Sequence, residues 1–538
     1  MNEAMAVSIG RAASAPLIRT WEAGRRIESA AIAALAATTL AIGLYRSNST
    51  SLWTDELFSV TLANKPLPVL MRQLWSENAN MSFYYVILGG WLNFLNHLGV
   101  THPSEWLIRL PSIVFAAAAV VAAYFVGKRI FGAVVGLVGA ALLLLNYVFL
   151  MEVAQARAYS LQLFLQLIGW YLFIRILEDR DKNAGRLAVA FGAAMALALY
   201  ADLFTALVIL AQLAAFIALV ATGSISRARA REAFRPALIA ALTIIVAAVP
   251  LVLDVVTHRV ANDWIAIPGL REVLTFAGAV AGANPGFGIV LIVGGALGLG
   301  IALRRPESEA PDRISQRAGV VLLMTWTAVP FVLSLGLSQR PLGMHLFLTR
   351  YLIVIVPAIC ILCAAGLYSL SRSHLNLARV VLVASVVLAA TAVPTYYSRV
   401  QREDFRTASA WLTQQYKAGD GVACASLGCA FGLEYYAPDK LEIGAPGNYV
   451  WAAGDFGHVA VDPLTLAEYA QTHSRIFFVY GTAGQSAFIG PDEEWLQDDG
   501  YQVVASIETV PGSAGPVTVR LWSRLGNGVG ENLMPGSI

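Results

Sequence analysis

Residues 107–126 read LIRLPSIVFAAAAVVAAYFV, and the centre of this run holds no Asp, Glu, Lys or Arg. Twenty such residues, wound as a helix, cross about 30 Å of hydrocarbon. The same pattern returns at 27–45, 133–150, 160–174, 187–201, 203–222, 236–253, 287–303, 318–337, 351–370 and 380–397. Apolarity is near-continuous along each run and does not alternate, which favours helices over a β-barrel. Over 538 residues, 57% are hydrophobic and 13% charged, whereas soluble domains carry roughly 25% charge. Mean hydropathy is +0.63. These values exclude a string of soluble domains. Segment 27–45 lacks a small-residue cleavage site before the next charged loop, so it reads as a span and not as a signal peptide.

One apolar stretch is short. Ser82–Leu95 (SFYYVILGGWLNFL) breaks into Asn96 and His97. Basic residues accumulate on the cytoplasmic side of membrane proteins. If this stretch lies at the membrane surface, the loops 1–26, 127–132, 175–186, 223–235, 304–317 and 371–379 share one side and hold 20 Lys and Arg, against 9 on the other. If it crossed, the last five of those loops would change sides. It is therefore expected to be a juxtamembrane helix. The expected fold is an all-α polytopic membrane protein with about eleven spans, N-terminus cytoplasmic and C-terminus outside.

From residue 398 the composition changes, with 16 of the 35 Asp and Glu in the tail. A helix is predicted over Glu403–Lys417, and strands over Gly421–Ser426, Arg475–Tyr480, Tyr501–Val510 and Val517–Ser523. The expected domains are thus 1–397 in the membrane and 398–538 as a small extracytoplasmic α/β domain. Lys and Arg number 37 against 35 acids, which gives no basis for a nucleic-acid partner. No P-loop is present, nor a glycine fingerprint in the right setting. Cys360 and Cys363 read as packing residues, no zinc spacing occurs, and a Cys424–Cys429 disulfide stays open.

Three charged motifs fall on the less basic side. The first loop carries Asp55 and Glu56, the second Arg157, and a later span opens with His345-Leu-Phe-Leu-Thr-Arg350-Tyr351. Each alone is ordinary for an interfacial loop. Together, an acid beside two arginines suits transfer of a group from an anionic lipid phosphate to a hydroxyl or amine. Guanidinium forks neutralise charge developing on phosphate. A carboxylate takes the acceptor's proton, and partial burial is expected to lift its pKa from about 3.9 toward working pH. No organic cofactor is required.

These residues resemble GT-C glycosyltransferases that use polyprenyl-phosphate sugars, a branch with protein O-mannosyltransferases, the lipid A aminoarabinose transferase and rhizobial lipopolysaccharide galacturonosyltransferases. Trp53-Thr-Asp55-Glu56-x-x-Ser59 resembles their first-loop acidic motif. Arg109-Leu-Pro-Ser112 with Lys128-Arg129-Ile-Phe-Gly132, Gln155-Ala-Arg157-Ala-Tyr159, Arg350-Tyr351 with Pro357, and Asp404-Phe-Arg406 with Gly419-Asp420 follow in the family's order. The resemblance implies that Asp55 is the catalytic base, that Glu56 supports it, and that Arg157 lies near the donor phosphate in an inverting transfer. Arg350 is expected to join Arg157 on the phosphate. Tyr84, Tyr85, Tyr159, Asp202, His345 and Tyr351 are expected to line the substrate site.

There are departures. Asn80-Met-Ser-Phe-Tyr84-Tyr85 stands where members have a His-Pro-Pro-like stretch. Gln155 replaces the glutamate before Ala-Arg, and Glu152 would substitute if that stretch is helical. Asp202 occupies the place of a Thr-His pair, and is expected mainly to face water, with acceptor or divalent-metal binding as alternatives. The expected partners are a polyprenyl-phosphate sugar donor, a glycan, lipid or protein acceptor, and membrane lipids. A transporter or flippase is the competing class; uncharged span centres and the lack of repeated halves argue against it.

Overall fold

The computed structural model describes residue 24 and residues 26–524, except 46, 49, 77–79, 179–182, 258–264, 283, 303–313, 371–374, 400–401, 425–426, 438–469, 482–485 and 510–514. The basic stretches 1–26 and 304–317 used in the charge count lie largely outside the described residues.

Every apolar run becomes a helix. The first is α1 (Arg26–Leu44). Three short helices, α2 (Thr54–Ala63), α3 (Leu67–Ser76) and α4 (Ser82–His97), fill the first loop. Then come α5 (Glu105–Phe131), α6 (Ala133–Leu144), α7 (Tyr147–Val153), α8 (Tyr159–Glu178), α9 (Ala184–Ala201), α10 (Thr205–Ala221) and α11 (Arg227–Thr257). The bundle ends with α12 (Leu270–Val280), α13 (Pro285–Ala302), α14 (Gln316–Leu337), α15 (Val356–Ser369, entered through a 3₁₀ turn at Tyr351–Ile355), α16 (Leu375–Ala390) and α17 (Ala392–Arg399). Among the described residues eight helices are long and apolar enough to cross a membrane; α6 with α7 and α12 with α13 are bent pairs, and α10 is a shorter apolar helix. The chain is a multi-pass membrane protein.

Two features differ from the sequence reading. The run 133–150 is broken by a 64° bend between α6 and α7. Asn146 is the cause. Its Oδ1 accepts from Val148 N and caps α7, while its Nδ2 donates to Val280 O on α12. Helix α12 itself was read as loop, because Arg271 and Glu272 in its first turn interrupt the apolar pattern. By contrast α4, at 16 residues, is the expected short helix and is not among the span candidates.

The bundle core is sealed by aromatic stacking and by small residues. Trp170 on α8 and Trp326 on α14 stack at 4.7 Å, and the Trp326 indole N–H donates to Val354 O. Helices α13 and α15 touch backbone to backbone: a Cβ on Gly366 would lie 1.9 Å from Gly294 O and 2.4 Å from Gly298 N. Such small-residue crossings let membrane helices pack without an apolar driving force between them.

The C-terminal unit adds α18 (Phe405–Gln415), β1 (Gly421–Cys424), α19 (Leu427–Tyr436), β2 (Arg475–Gly481), a helix at Ser486–Asp498, β3 (Tyr501–Glu508) and β4 (Val517–Arg524). Its sheet runs β1-β2-β4-β3, with β1 parallel to β2 and the other pairs antiparallel. The four predicted strands all occur, β3 ending at Glu508, while residues 425–426 and 510 lie outside the described residues. Cys424 and Cys429 are buried and are not joined in a disulfide. One apolar cluster joins Leu57, Phe58, Tyr85 and Leu88 of the first loop to Phe405, Leu412, Val422, Phe477 and Val519 of the C-terminal unit. The tail therefore packs on the loop that carries the acidic motif.

Replacing Gly366 by valine should force α13 and α15 apart. The expected loss is about 1–3 kcal/mol, read as a lower unfolding midpoint of the detergent-solubilised protein, with Gly300→Ala, which meets open space, as the unaffected control.

Candidate active site

Asp55 and Glu56 both stand in the first turn of α2. Successive helical residues are turned by about 100°, so two adjacent carboxylates cannot share one target. Glu56 is 1% exposed. Its Oε1 accepts from Arg109 Nε at 2.8 Å and its Oε2 from Arg109 Nη2 at 2.7 Å. Oε1 also accepts from Ala156 N at 2.8 Å. The rest of the Arg109 fork donates to the carbonyls of Ser47, Thr50 and Ser51 and to the Thr50 hydroxyl. Glu56 thus binds α5 and the second loop to the first, and both its oxygens are taken. It is a positioning residue, in place of the expected direct support of Asp55.

Asp55 faces the cations. Its Oδ2 accepts from Arg350 Nη1 at 2.9 Å and stands 3.8 Å from Arg157 Nη2. Arg157 Nη1 reaches the Asp55 carbonyl, Ser59 Oγ and the Tyr85 hydroxyl, each at 3.4 Å. Behind this layer the Tyr84 hydroxyl pairs with Ser112 Oγ at 2.8 Å, and Ser112 Oγ donates to Arg157 O. Arg350 lies against the rings of Trp53 and Tyr351, each 5.8 Å from its Cζ. The acid and both arginines of the sequence reading therefore meet in one cluster at one end of the bundle.

The expected upward pKa shift of Asp55 is not found. Burial pushes the carboxyl up, but Arg157, Arg350 and Arg402 outweigh it and hold the pKa below the ordinary value.

The remaining residues separate into neighbours and outsiders. Tyr159 is fully buried, with its ring 6.4 Å from that of Tyr351, which also packs on Phe204. Tyr84 and Tyr85 are likewise buried beside the cluster. Glu152 lies on α7, so the helical condition for its substitution is met, and Gln155 Nε2 donates to its Oε2 at 2.7 Å. Asp202 does not face water. It is 3% exposed and its Oδ1 accepts from Phe204 N, while Oδ2 has no partner among the described residues. Burial raises its pKa to about 6 against the lowering pull of that hydrogen bond and of Arg157 and Arg350. His345 has φ 51° and its Nδ1 pairs with the Ile265 carbonyl, so it shapes the loop ahead of Arg350.

Sequence reading missed two residues. Arg402 stacks on Trp53 with its Cζ 4.1 Å from the ring centroid. Glu403, 4% exposed, accepts from Thr54 N at 3.1 Å and from the Thr54 hydroxyl. Around them Arg406 bonds Glu105, and the Tyr436 hydroxyl links Leu52 N to Glu105. These contacts join residues some 350 positions apart, and no local pattern announces them. Among the described residues no group of three or more His, Cys, Asp or Glu side chains is gathered to hold a metal ion.

A family model described as dolichyl-phosphate-mannose-protein mannosyltransferase matches residues 87–253. No curated protein matches the chain. Among solved structures, ArnT from Cupriavidus metallidurans bound to undecaprenyl phosphate is similar, with TM-score 0.55 at 13% identity over 91% of this chain and 97% of that one. Its apo state gives 0.52 at 12% identity over 91% and 97%. The Archaeoglobus fulgidus oligosaccharyltransferase in complex with Zn and sulfate gives 0.52 at 11% identity, over 90% of this chain and 72% of that chain. The chain shares the membrane fold of these transferases.

Two variants probe the frame. Arg109→Ala leaves the buried Glu56 charge uncompensated and should cost about 3–5 kcal/mol, while Glu56→Gln with Arg109→Met should cost less than Arg109→Ala alone in the same unfolding assay. For Asp202 the raised pKa means its contribution to stability is full below the ordinary carboxylate pKa and lost as pH rises through about 6. Asp202→Asn should therefore stabilise the fold at pH 7.5 by on the order of 3 kcal/mol, read as a higher unfolding midpoint, and the gain should vanish near pH 4.

Proposed function

We propose that this protein is a membrane glycosyltransferase that moves a hexosyl or pentosyl unit from a polyprenyl-phosphate donor to an acceptor outside the cytoplasm. The observation that carries the reading is the Asp55 carboxylate held between Arg350 and Arg157. The matched mannosyltransferase family model and the likeness to ArnT, solved with undecaprenyl phosphate, support it. The excess of Lys and Arg on one set of loops supports a cytoplasmic N-terminus and, with it, a position for the cluster and the C-terminal unit on the opposite face of an inner membrane.

In the reaction the donor phosphate takes hydrogen bonds from Arg157 and Arg350. Its negative charge competes with Asp55 for Arg350 and cancels part of the field that depresses the Asp55 pKa. The base is thus strengthened only when donor is present. Asp55 accepts the proton of the acceptor hydroxyl or amine, and the acceptor's electron pair forms the new bond at the anomeric carbon. The bond from that carbon to the phosphate oxygen breaks, leaving its electrons on the phosphate, where the guanidiniums stabilise the added charge. Attack opposite the departing phosphate inverts the anomeric centre. Glycan, lipid and protein acceptors all offer such a nucleophile.

Purified protein in liposomes, supplied with a radiolabelled polyprenyl-phosphate sugar and a cell-envelope extract, should transfer label to acceptor. Asp55→Asn should lower the rate by about 10²–10⁴-fold in a protein that still folds, with a somewhat lower unfolding midpoint because the ion pairs to Arg157 and Arg350 are lost. Wild-type turnover by that variant would remove Asp55 as the base. Movement of intact donor across the bilayer without its consumption would favour a flippase.

A further inference from the structure

Arg402 stands where the chain leaves the last apolar helix for the C-terminal unit, three residues before α18. Its guanidinium and that of Arg350 both lie against Trp53, at 4.1 and 5.8 Å from the ring centroid. The two guanidinium carbons are thus within about 10 Å of one another, at cation–π range of one indole. A guanidinium over a ring uses its flat face for the ring and keeps its N–H edge for acceptors lying in its plane. Among the described residues no carboxylate comes within ion-pair distance of Arg402. Asp55 is engaged by Arg350, and Glu403 by Thr54. The buried Trp53 indole N–H also lacks an acceptor among the described residues. A third nearby carboxylate, Glu152, feels the Arg402 charge but accepts from Gln155 Nε2 at 2.7 Å, so the N–H edge of Arg402 is left for a ligand, and the fork has a fixed backbone, because Glu403 next to it is pinned to the loop that carries Asp55.

We propose that Arg402 is a third phosphate-binding residue, supplied by the C-terminal unit, and that lipid-phosphate binding and docking of that unit are thereby coupled. This rests on the polyprenyl-phosphate reading above. Sugar transfer converts a phosphodiester with one negative charge into a phosphomonoester carrying about −1.5 to −2 at pH 7. A further cation serves the charge that develops during the reaction more than the charge present at its start, so removing it should lower kcat more than it raises the donor KM. Coupling is reciprocal: if docking places Arg402, bound lipid phosphate must also hold the unit in place.

Binding of a short-chain polyprenyl phosphate to the full chain in nanodiscs tests the assignment, with the wild type, Arg402→Ala, Arg402→Lys and Arg350→Ala compared. Arg402→Ala should weaken binding roughly ten- to hundred-fold, with an unchanged unfolding midpoint, and Arg402→Lys should fall between it and the wild type. In the wild type, polyprenyl phosphate should slow proteolysis within the C-terminal unit. Full affinity in Arg402→Ala beside lost affinity in Arg350→Ala would overturn the role of Arg402 and leave the donor reading standing. Lack of binding by the wild type would sink both. Should Arg402→Ala fail to fold, the lysine variant and the wild-type protection assay decide: lipid phosphate that gives no protection, or a lysine variant that binds as the wild type does, overturns the coupling or the fork respectively.

Discussion

The buried pair of Glu56 and Arg109 is the constraint on which the rest of the site depends. Two opposite charges taken from water must be matched closely, because an unmatched one costs several kcal/mol. Here the match is bidentate, and every remaining Arg109 donor meets a carbonyl or hydroxyl of residues 47–51. One guanidinium thereby sets the path of the chain into α2. The Glu56 oxygen that also accepts from Ala156 N sets where the second loop begins. Once those positions are fixed, helix geometry turns Asp55 to the other side, and Arg157, next to Ala156, arrives beside it.

The division of labour between two neighbouring carboxylates follows from solvation. Glu56 is sealed in and paired. Asp55 keeps 26% side-chain exposure and is paired with cations that an incoming anion can also claim. A charge held by groups that a ligand can draw off is a charge whose basicity the ligand controls. The low pKa of Asp55 in the free protein is consistent with a base that is quiet until its arginines are occupied.

The bundle was legible in the sequence because about 20 uncharged apolar residues have few structural options in a membrane. The bend at Asn146 was not, since it depends on a carbonyl of Val280 far along the chain. In the cluster, Asp55, Arg157 and Arg350 could be read because charges at span ends on the less basic side are rare enough to notice. Glu56 was misread because adjacency in sequence was taken for adjacency in space, and its partner lies 53 residues on. Asp202 was taken to face water from its place between two spans, whereas the backbone N–H of Phe204 and the surrounding helices bury it. Arg402 carries no local signal at all; only the fold brings it to Trp53.

The apolar cluster shared by the first loop and the C-terminal unit also bears on biogenesis. Leu57 and Phe58 are synthesised among the first sixty residues, yet the apolar cluster they belong to also holds Val519 and Leu521 of β4. The strands β1 to β4 follow every membrane helix in the chain, so that half of the cluster stays wet until the bundle has been made, and the acidic turn gains its apolar cover only afterwards.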